Sequence, residues 1–299
     1  MRRGAWRHDH AAERDDEDSD RERGEALRPR ARCRCSEFVR PRARGGRIDG
    51  ASDLAQTAAA WPRLTLSTST ATICNGPDEE DRMITLYGFG RVHRKVIGET
   101  RDLRVQWALE ELGLPYRVHP LDHTGGEFDS PAYAAISPFH QAPVIDDDGV
   151  VVAETGAILL YLADKAGALP TDAAGRAAVV QWCFAALTTV EPPVAMILLI
   201  DLGGLPGGGA QRAALVAWAR RGFDGLERRL DGRTWIAADD FTVADILLAT
   251  VLRQIRRTAL LADYPRLRAY YDRALARPAW RRTLERYAER LGVTVADIR

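Results

Sequence analysis

Residues 138–161 decide how the chain is read: Pro138-Phe139-His140-Gln141-Ala142-Pro143-Val144-Ile145-Asp146-Asp147-Asp148-Gly149-Val150-Val151-Val152-Ala153-Glu154-Thr155-Gly156-Ala157-Ile158-Leu159-Leu160-Tyr161. Val144–Ile145 and Val150–Val152 are short apolar runs, and Asp148-Gly149 between them is a strong hairpin turn signal. Thr155–Ala166 has helical period, with Ile158, Leu159, Leu162 and Ala163 on one side and Asp164 and Lys165 off it. The Ala142-Pro143 step fits either an ordinary trans bond at a strand start or a cis bond at a turn. With a cis bond, Val144 would turn its backbone outward as a strand-like edge for a ligand. Glu154-Thr155 falls at the strand–helix junction, where helix amides attract a carboxylate. Thr155 adds a hydroxyl donor and Glu154 a charge for an ammonium group. Acid and donor side by side suit a zwitterionic amino-acid end, the alternative being a plain helix cap. The stretch reads as a site for a small peptide-like ligand.

On the N-terminal side, Ile84–Tyr87 reads as a short strand ended by Gly88-Phe89-Gly90. That glycine pair is no dinucleotide fingerprint, because His93 stands where a third glycine would be. A polar loop to about Asp102 precedes a helix over Leu103–Leu112, stopped by Gly113, and a strand over Tyr116–His119. The connection to Ile136 has room for one short helix near Ser130–Ala135. Strand–helix–strand, link, strand–strand–helix is the order of a thioredoxin-like α/β domain, placed at residues 83–166. After a linker at 169–172, residues 175–299 read as an all-α helical bundle. Gly175–Ile200 is interrupted at Pro192-Pro193. The glycine run at 203–209 is a connector, since no strand precedes it and no Lys-Ser/Thr follows. Gln211–Leu230 turns Leu215, Trp218, Phe223 and Leu226 to one side. Thr242–Ile255 opens on Thr242-Val243-Ala244-Asp245, a capping box with Phe241 as staple. Tyr264–Ala276 and Pro278–Leu291 complete the bundle.

A chain of 299 residues has room for about two domains. Hydrophobic residues at 46% and charged residues at 28% fit a globular protein, and a formal net charge of zero points to neither nucleic acid nor an acidic membrane. The apolar stretch Ala177–Ile200 carries Gln181, Glu191 and a proline pair, unlike a lipid-facing helix. The N-terminus has no apolar leader core. Four cysteines make no disulfide framework, so a reducing cytoplasm is expected. Residues 1–82 are charged and poor in large apolar side chains, which predicts a disordered extension; Met83, just before the first strand, is an alternative start. Cys33 and Cys35 lack a second ligand pair. Pro120 between His119 and His123 rules out a helical metal pair, and no metal is expected. Cys183 reads as a small core residue.

The ordered set of motifs resembles the bacterial cytosolic glutathione transferases. The residues that carry it are Met83–Phe89, Trp107–Tyr116, Ser137–Val144, Glu154–Ile158, Phe241–Ile246 and Arg277–Trp280. The resemblance covers essentially all of the chain from Met83 onward. It implies that Pro143 is a cis-proline and that Val144 pairs its backbone with the cysteinyl part of glutathione. Glu154 and Thr155 would hold the γ-glutamyl end, with Thr155 where the family more often has Ser. Gln141 would lie toward the glycyl side, beside His140, which stands where the family often has Gly. Thr242 and Asp245 would cap a helix for folding rather than catalysis. The thiolate needs a donor that lowers its pKa. Thr100, four positions before Arg104, is one candidate; Tyr87 is another; a loop group such as Arg94 or a backbone amide is the third. Asp102 stands where relatives often have Ser, and a carboxylate there would repel a thiolate. The resemblance also implies a homodimer, and a small hydrophobic electrophile held near Trp182, Leu187 and Pro192–Leu199. The reaction expected is conjugation of glutathione to that electrophile. Glutathione-dependent reduction of peroxide or disulfide, and a glutathione-transferase-like binding protein without turnover, are the alternatives.

Overall fold

The computed structural model describes residues 83–298. The expected extension over 1–82, with Cys33 and Cys35, lies outside these residues. One sheet holds the strands in the order β2-β1-β3-β4. They are β1 (Ile84–Arg91), β2 (Tyr116–Asp122), β3 (Val144–Asp147) and β4 (Val150–Ala153). β2 runs parallel to β1 after the crossover helix α1 (Asp102–Leu112), while β3 and β4 are antiparallel. Asp148 and Gly149 have φ of 52° and 86°, the left-handed pair a two-residue hairpin with right-twisted strands demands. Before β3 comes a one-turn helix, α2 (Pro131–Ala134), capped by Ser130 Oγ accepting from the Tyr133 amide. After β4 comes α3 (Thr155–Lys165).

β1 does not stop at Gly88 but continues to Arg91. The two glycines serve close approach instead. A Cβ on Gly88 would lie 2.9 Å from Asp102 Oδ2, and one on Gly90 would lie 2.5 Å from Pro120 Cβ. Side chains alternate across the sheet. Ile84, Leu86 and Ile145 pack in one core with α1, α3 and the helices that follow. Tyr87 and Phe89 turn to the other face, against Leu121, Phe128, Tyr133 and Val144.

The helical part comprises α4 (Ala173–Phe184), α5 (Glu191–Asp201), α6 (Gly209–Arg229), α7 (Val243–Arg253), α8 (Pro265–Leu275), α9 (Pro278–Leu291) and the short α10 (Val295–Ile298), which the sequence reading did not place. Between α4 and α5 the chain widens into a π-turn over Ala185–Val190, where the Glu191 amide reaches back five residues to Ala186 O. Pro192 and Pro193 lack the amides that Thr188 and Thr189 carbonyls would accept, so the regular ladder cannot pass unbroken. The helical stretch Ala173–Asp201 is long and apolar enough to cross a membrane by length and composition. Here its segments pack on α6 and α7. Every residue of α7 is buried. At its start Asp245 accepts from the Thr242 amide and hydroxyl, from the Ile236 amide and from the Tyr270 hydroxyl. Phe241, just before, packs against the Trp107 and Trp235 rings and so ties α1 to the bundle. Trp218, expected inward, is 44% exposed; Ala219, Phe223 and Leu226 form the buried stripe of α6 instead.

Candidate active site

A cleft of about 580 Å³ opens between the sheet domain and the helices. Three structures form its walls. The first is the loop that leads into β3, with Gln141, Ala142 and Pro143 facing the cavity. The Ala142-Pro143 bond is cis. The loop is held from behind: Tyr133 and Ser137 hydroxyls both donate to the Gln141 carbonyl, at 2.9 and 2.8 Å, and Ser137 Oγ accepts the Gln141 amide at 2.9 Å. His140 has φ of 52° and its Nδ1 lies 3.3 Å from Asp129 Oδ1.

The second wall is the start of α3. Glu154, at its N-cap, has φ of 67°, a left-handed backbone that a non-glycine residue adopts at a cost of about 1–3 kcal/mol. Its side chain is exposed to the cleft, and the Thr155, Gly156 and Ala157 amides are first-turn donors. Thr155 is buried, and its Oγ1 accepts from Arg104 Nη1 at 3.5 Å, which leaves its own proton for a ligand. Gly156 lets the π-turn come close; a Cβ there would meet Leu187 Cδ1 at 2.8 Å.

The third wall is helical. Phe184, Leu187 and Thr188 supply an apolar side, and Cys183 sits behind them. Burial, with the Asp245 charge added, pushes the Cys183 thiol up to about 12, so it is a neutral lining group. Trp182 does not reach the cleft; Arg229 lies over its ring. Of the expected segment Pro192–Leu199 none lines the cavity; the end of α4, the π-turn and the first residue of α5 do, through Cys183, Phe184, Leu187, Thr188 and Glu191. The floor is an ion-pair network. Glu191 accepts from Arg104 Nη2 at 2.7 Å and Nη1 at 3.3 Å, from Arg101 at 3.2 Å and from Gln254 at 3.2 Å. Burial raises the Glu191 carboxyl, but the two arginines and Gln254 outweigh it and hold it below its ordinary value. Burial draws the Arg104 guanidinium down, although such a group stays protonated at neutral pH.

A second cavity of about 300 Å³ adjoins the first, sharing Arg101, Gln141 and Ala142. Thr100 and His140 line it. The sequence-level candidates therefore fall into two groups. Gln141, His140, Pro143, Glu154, Thr155 and Thr100 come together around these joined cavities. Val144 does not: it is fully buried and its residue is paired with Tyr87 on one side and Ala153 on the other. At this step Ala142, not Val144, lines the cleft. Tyr87 packs beside the His119 and Tyr133 rings and lines neither cavity. Arg94 lies in a single 3-10 turn and lines neither cavity. Asp102 lines neither cavity either. Its carboxylate is fully buried and takes the Phe89 amide at 3.1 Å and Arg290 at 2.6 Å. Sequence reasoning passed over Arg104, Glu191 and Ala142; the Arg-and-Glu pair bears no local signal, since 87 positions separate its members.

Fold and cleft define a thioredoxin-like sheet domain with a helical second half and a cleft between them. Residues 95–164 match the glutathione S-transferase N-terminal domain, and residues 209–273 the C-terminal domain. The chain is 30% identical over 181 residues to the disulfide-bond oxidoreductase YfcG of Escherichia coli, covering 57% of this chain and 84% of that protein. It is likewise 30% identical over 195 residues to glutathione S-transferase 3 of Zea mays, covering 61% and 87%. Among solved structures, a glutathione transferase family member from Pseudomonas fluorescens with two glutathione bound superposes with a TM-score of 0.61 at 28% identity, covering 70% of this chain and 95% of that one. A glutathione transferase from Burkholderia graminis, with two glutathione molecules per subunit, gives 0.60 at 29%, covering 70% and 90%. The chain belongs to the glutathione S-transferase family.

Proposed function

We propose that the protein binds glutathione in the joined cavities and presents its thiolate to a small apolar electrophile. The observation that carries this is the convergence of the α3 N-terminus, the cis-proline loop and the Thr100–Arg101 step beside one apolar wall. Glu154 takes the γ-glutamyl ammonium, and the Thr155 hydroxyl with the first amides of α3 takes its carboxylate. The Ala142 backbone pairs with the cysteinyl unit, as an added strand would. Gln141 and His140 lie toward the glycyl end. Thr100 donates its hydroxyl to the sulfur and so favours the thiolate. The thiol proton goes to solvent, the sulfur pair forms a C–S bond, and the leaving group departs with the electrons of the bond it breaks. Phe184 and Leu187 receive the apolar part of the electrophile.

A homodimer is part of this reading. Phe139, Val150, Val151, Met196 and Leu199 are exposed apolar residues that a second copy would cover.

The relatives favour a second reading of the same cleft, disulfide reduction. One thiolate attacks a substrate disulfide, releasing one thiol and leaving a mixed disulfide. A second glutathione thiolate then attacks the glutathione sulfur of that mixed disulfide, releasing the other thiol. Two glutathiones are oxidised to their disulfide and one disulfide is reduced to two thiols.

The test begins with retention on immobilised glutathione, followed by titration of the bound thiol through thiolate absorbance. Turnover is then compared on an aryl halide and on a small dialkyl disulfide. Conjugation predicts a lowered thiol pKa and aryl-halide turnover; reduction predicts faster disulfide turnover. Binding with an ordinary thiol pKa supports a non-catalytic binding protein, and no binding removes both enzyme readings.

A further inference from the structure

Behind Thr100 stands a residue from the far end of the chain. Tyr287, in α9, is fully buried, and its hydroxyl lies 2.6 Å from Thr100 Oγ1. The same hydroxyl oxygen accepts the Gly98 amide at 3.3 Å. We propose that Tyr287 is a positioning residue for the thiol site: it donates its proton to Thr100 Oγ1, so that the Thr100 proton is left to face the sulfur of bound glutathione. This rests on the assignment of Thr100 made above.

The direction of the hydrogen bond follows from counting donors. An amide can only donate, so the Gly98 N–H occupies a lone pair of the Tyr287 oxygen. The phenolic proton then needs an acceptor in a place closed to water. Among the described residues, Thr100 Oγ1 is the acceptor recorded for it. Were Thr100 the donor instead, the buried phenolic proton would go unpaired, and an unmade buried hydrogen bond is costly. A phenol is also a stronger acid than an aliphatic alcohol and the better donor of the two. Burial, with Asp102 nearby, pushes Tyr287 up to about 12, so the proton is present at neutral pH. The chain runs from the Gly98 N–H to the Tyr287 oxygen, from its O–H to Thr100, and from the Thr100 O–H into the cavity. Each donor polarises the next.

The start of this chain is itself held. Arg253 donates to the Gly98 carbonyl and to the Ile298 carbonyl of α10. Gly98 has φ of 80°, and a Cβ there would stand 2.8 Å from Ile298 Cγ2. Next to it, Glu99 pairs with Arg256 at 2.6 Å. The loop that carries Thr100 is thus held from α7, α9 and α10 as well as by its own turns, such as the Glu99 amide on the Val96 carbonyl.

The experiment measures the pKa of the glutathione thiol bound to the wild type, Thr100→Ala, Tyr287→Phe and the double variant. Binding of S-methylglutathione, which has no thiol, is measured in parallel. Thr100→Ala raises the thiol pKa by about one unit. Tyr287→Phe raises it by roughly half as much, with S-methylglutathione affinity kept within about twofold. In the double variant Tyr287→Phe adds nothing to Thr100→Ala. A structural role alone would lower stability or both affinities without moving the thiol pKa. A wild-type thiol pKa in Tyr287→Phe, or additive shifts in the double variant, overturns the role of Tyr287. A wild-type pKa in Thr100→Ala overturns the Thr100 assignment and the Tyr287 role with it. Should Tyr287→Phe not fold, 3,5-difluorotyrosine placed at 287 is a stronger donor of nearly the same size. It lowers the thiol pKa if Tyr287 donates to Thr100, and an unchanged value overturns the proposal.

Discussion

Removing the Glu191 carboxylate is the most direct test of the cleft floor. Glu191→Ala leaves Arg104, whose side chain is 3% exposed, without its counter-ion. Breaking one partner of a buried pair costs about 3–5 kcal/mol, because the remaining charge stays desolvated. Arg101 adds little to that figure, since half of its side chain is in solvent and exposed pairs contribute about 0–1 kcal/mol. For a folded unit of this size the loss lowers the melting midpoint by roughly 6–20 °C. Thermal and urea unfolding measure it. The variant Arg104→Met/Glu191→Met removes both charges and regains most of the loss, as replacement of buried pairs by apolar groups commonly does. Glu191→Gln supplies a pH arm. The folded-state pKa of Glu191 is depressed, so its contribution is present above the unfolded carboxyl's value of 4.5 and is lost as pH falls through the folded pKa. The gap between wild type and Glu191→Gln is therefore full near neutral pH and closes in acid. A loss below about 1 kcal/mol in Glu191→Ala, or a double variant as unstable as the sum of the singles, would refute the reasoning.

Thr155→Val removes a neutral donor to a carboxylate and weakens glutathione binding about 10- to 100-fold by calorimetry; a twofold change would count against its role. Asp245→Ala strands the Ile236 and Thr242 amides and the Tyr270 hydroxyl, at a cost of at least about 3 kcal/mol in urea unfolding, while the thiol pKa in the protein that remains folded is unchanged. Gly98→Ala forces a Cβ onto Ile298 at a positive φ, which displaces the Thr100 loop; turnover falls far more than S-methylglutathione binding, as steady-state kinetics and calorimetry would record. Phe139→Ser takes an apolar ring from the proposed dimer surface and shifts sedimentation toward the monomer; an unchanged species would place the interface elsewhere.

Which parts of this fold could be read from residue order follows from the range of the interactions. The β3–β4 hairpin was legible because Asp148-Gly149 is a local conformational demand. The Thr242–Asp245 box was legible because it joins residues three apart, and α3 because its apolar period over Ile158, Leu159 and Leu162 is local. The end of β1 was misjudged because Gly88 and Gly90 answer to Asp102 and Pro120 rather than to their neighbours. Tyr87 was offered as catalytic because the resemblance puts a Tyr near the end of this strand in some subfamilies; here it packs on His119 and Tyr133 and lines neither cavity.

By itself, then, the sequence determined the two halves, the order of the main elements and the part of the cleft wall made from the contiguous run 138–161. Periodicity, turn chemistry and capping are short-range, and the ordered motifs carry the family. Tertiary structure alone decided that Ala142 and not Val144 faces the cleft, that Glu191 closes its floor on Arg104, and that Tyr287 stands behind Thr100. The last two pairings span 87 and 187 positions. No local pattern encodes them, because they exist only once packing of the bundle on the sheet has brought the chain's distant parts within hydrogen-bond reach.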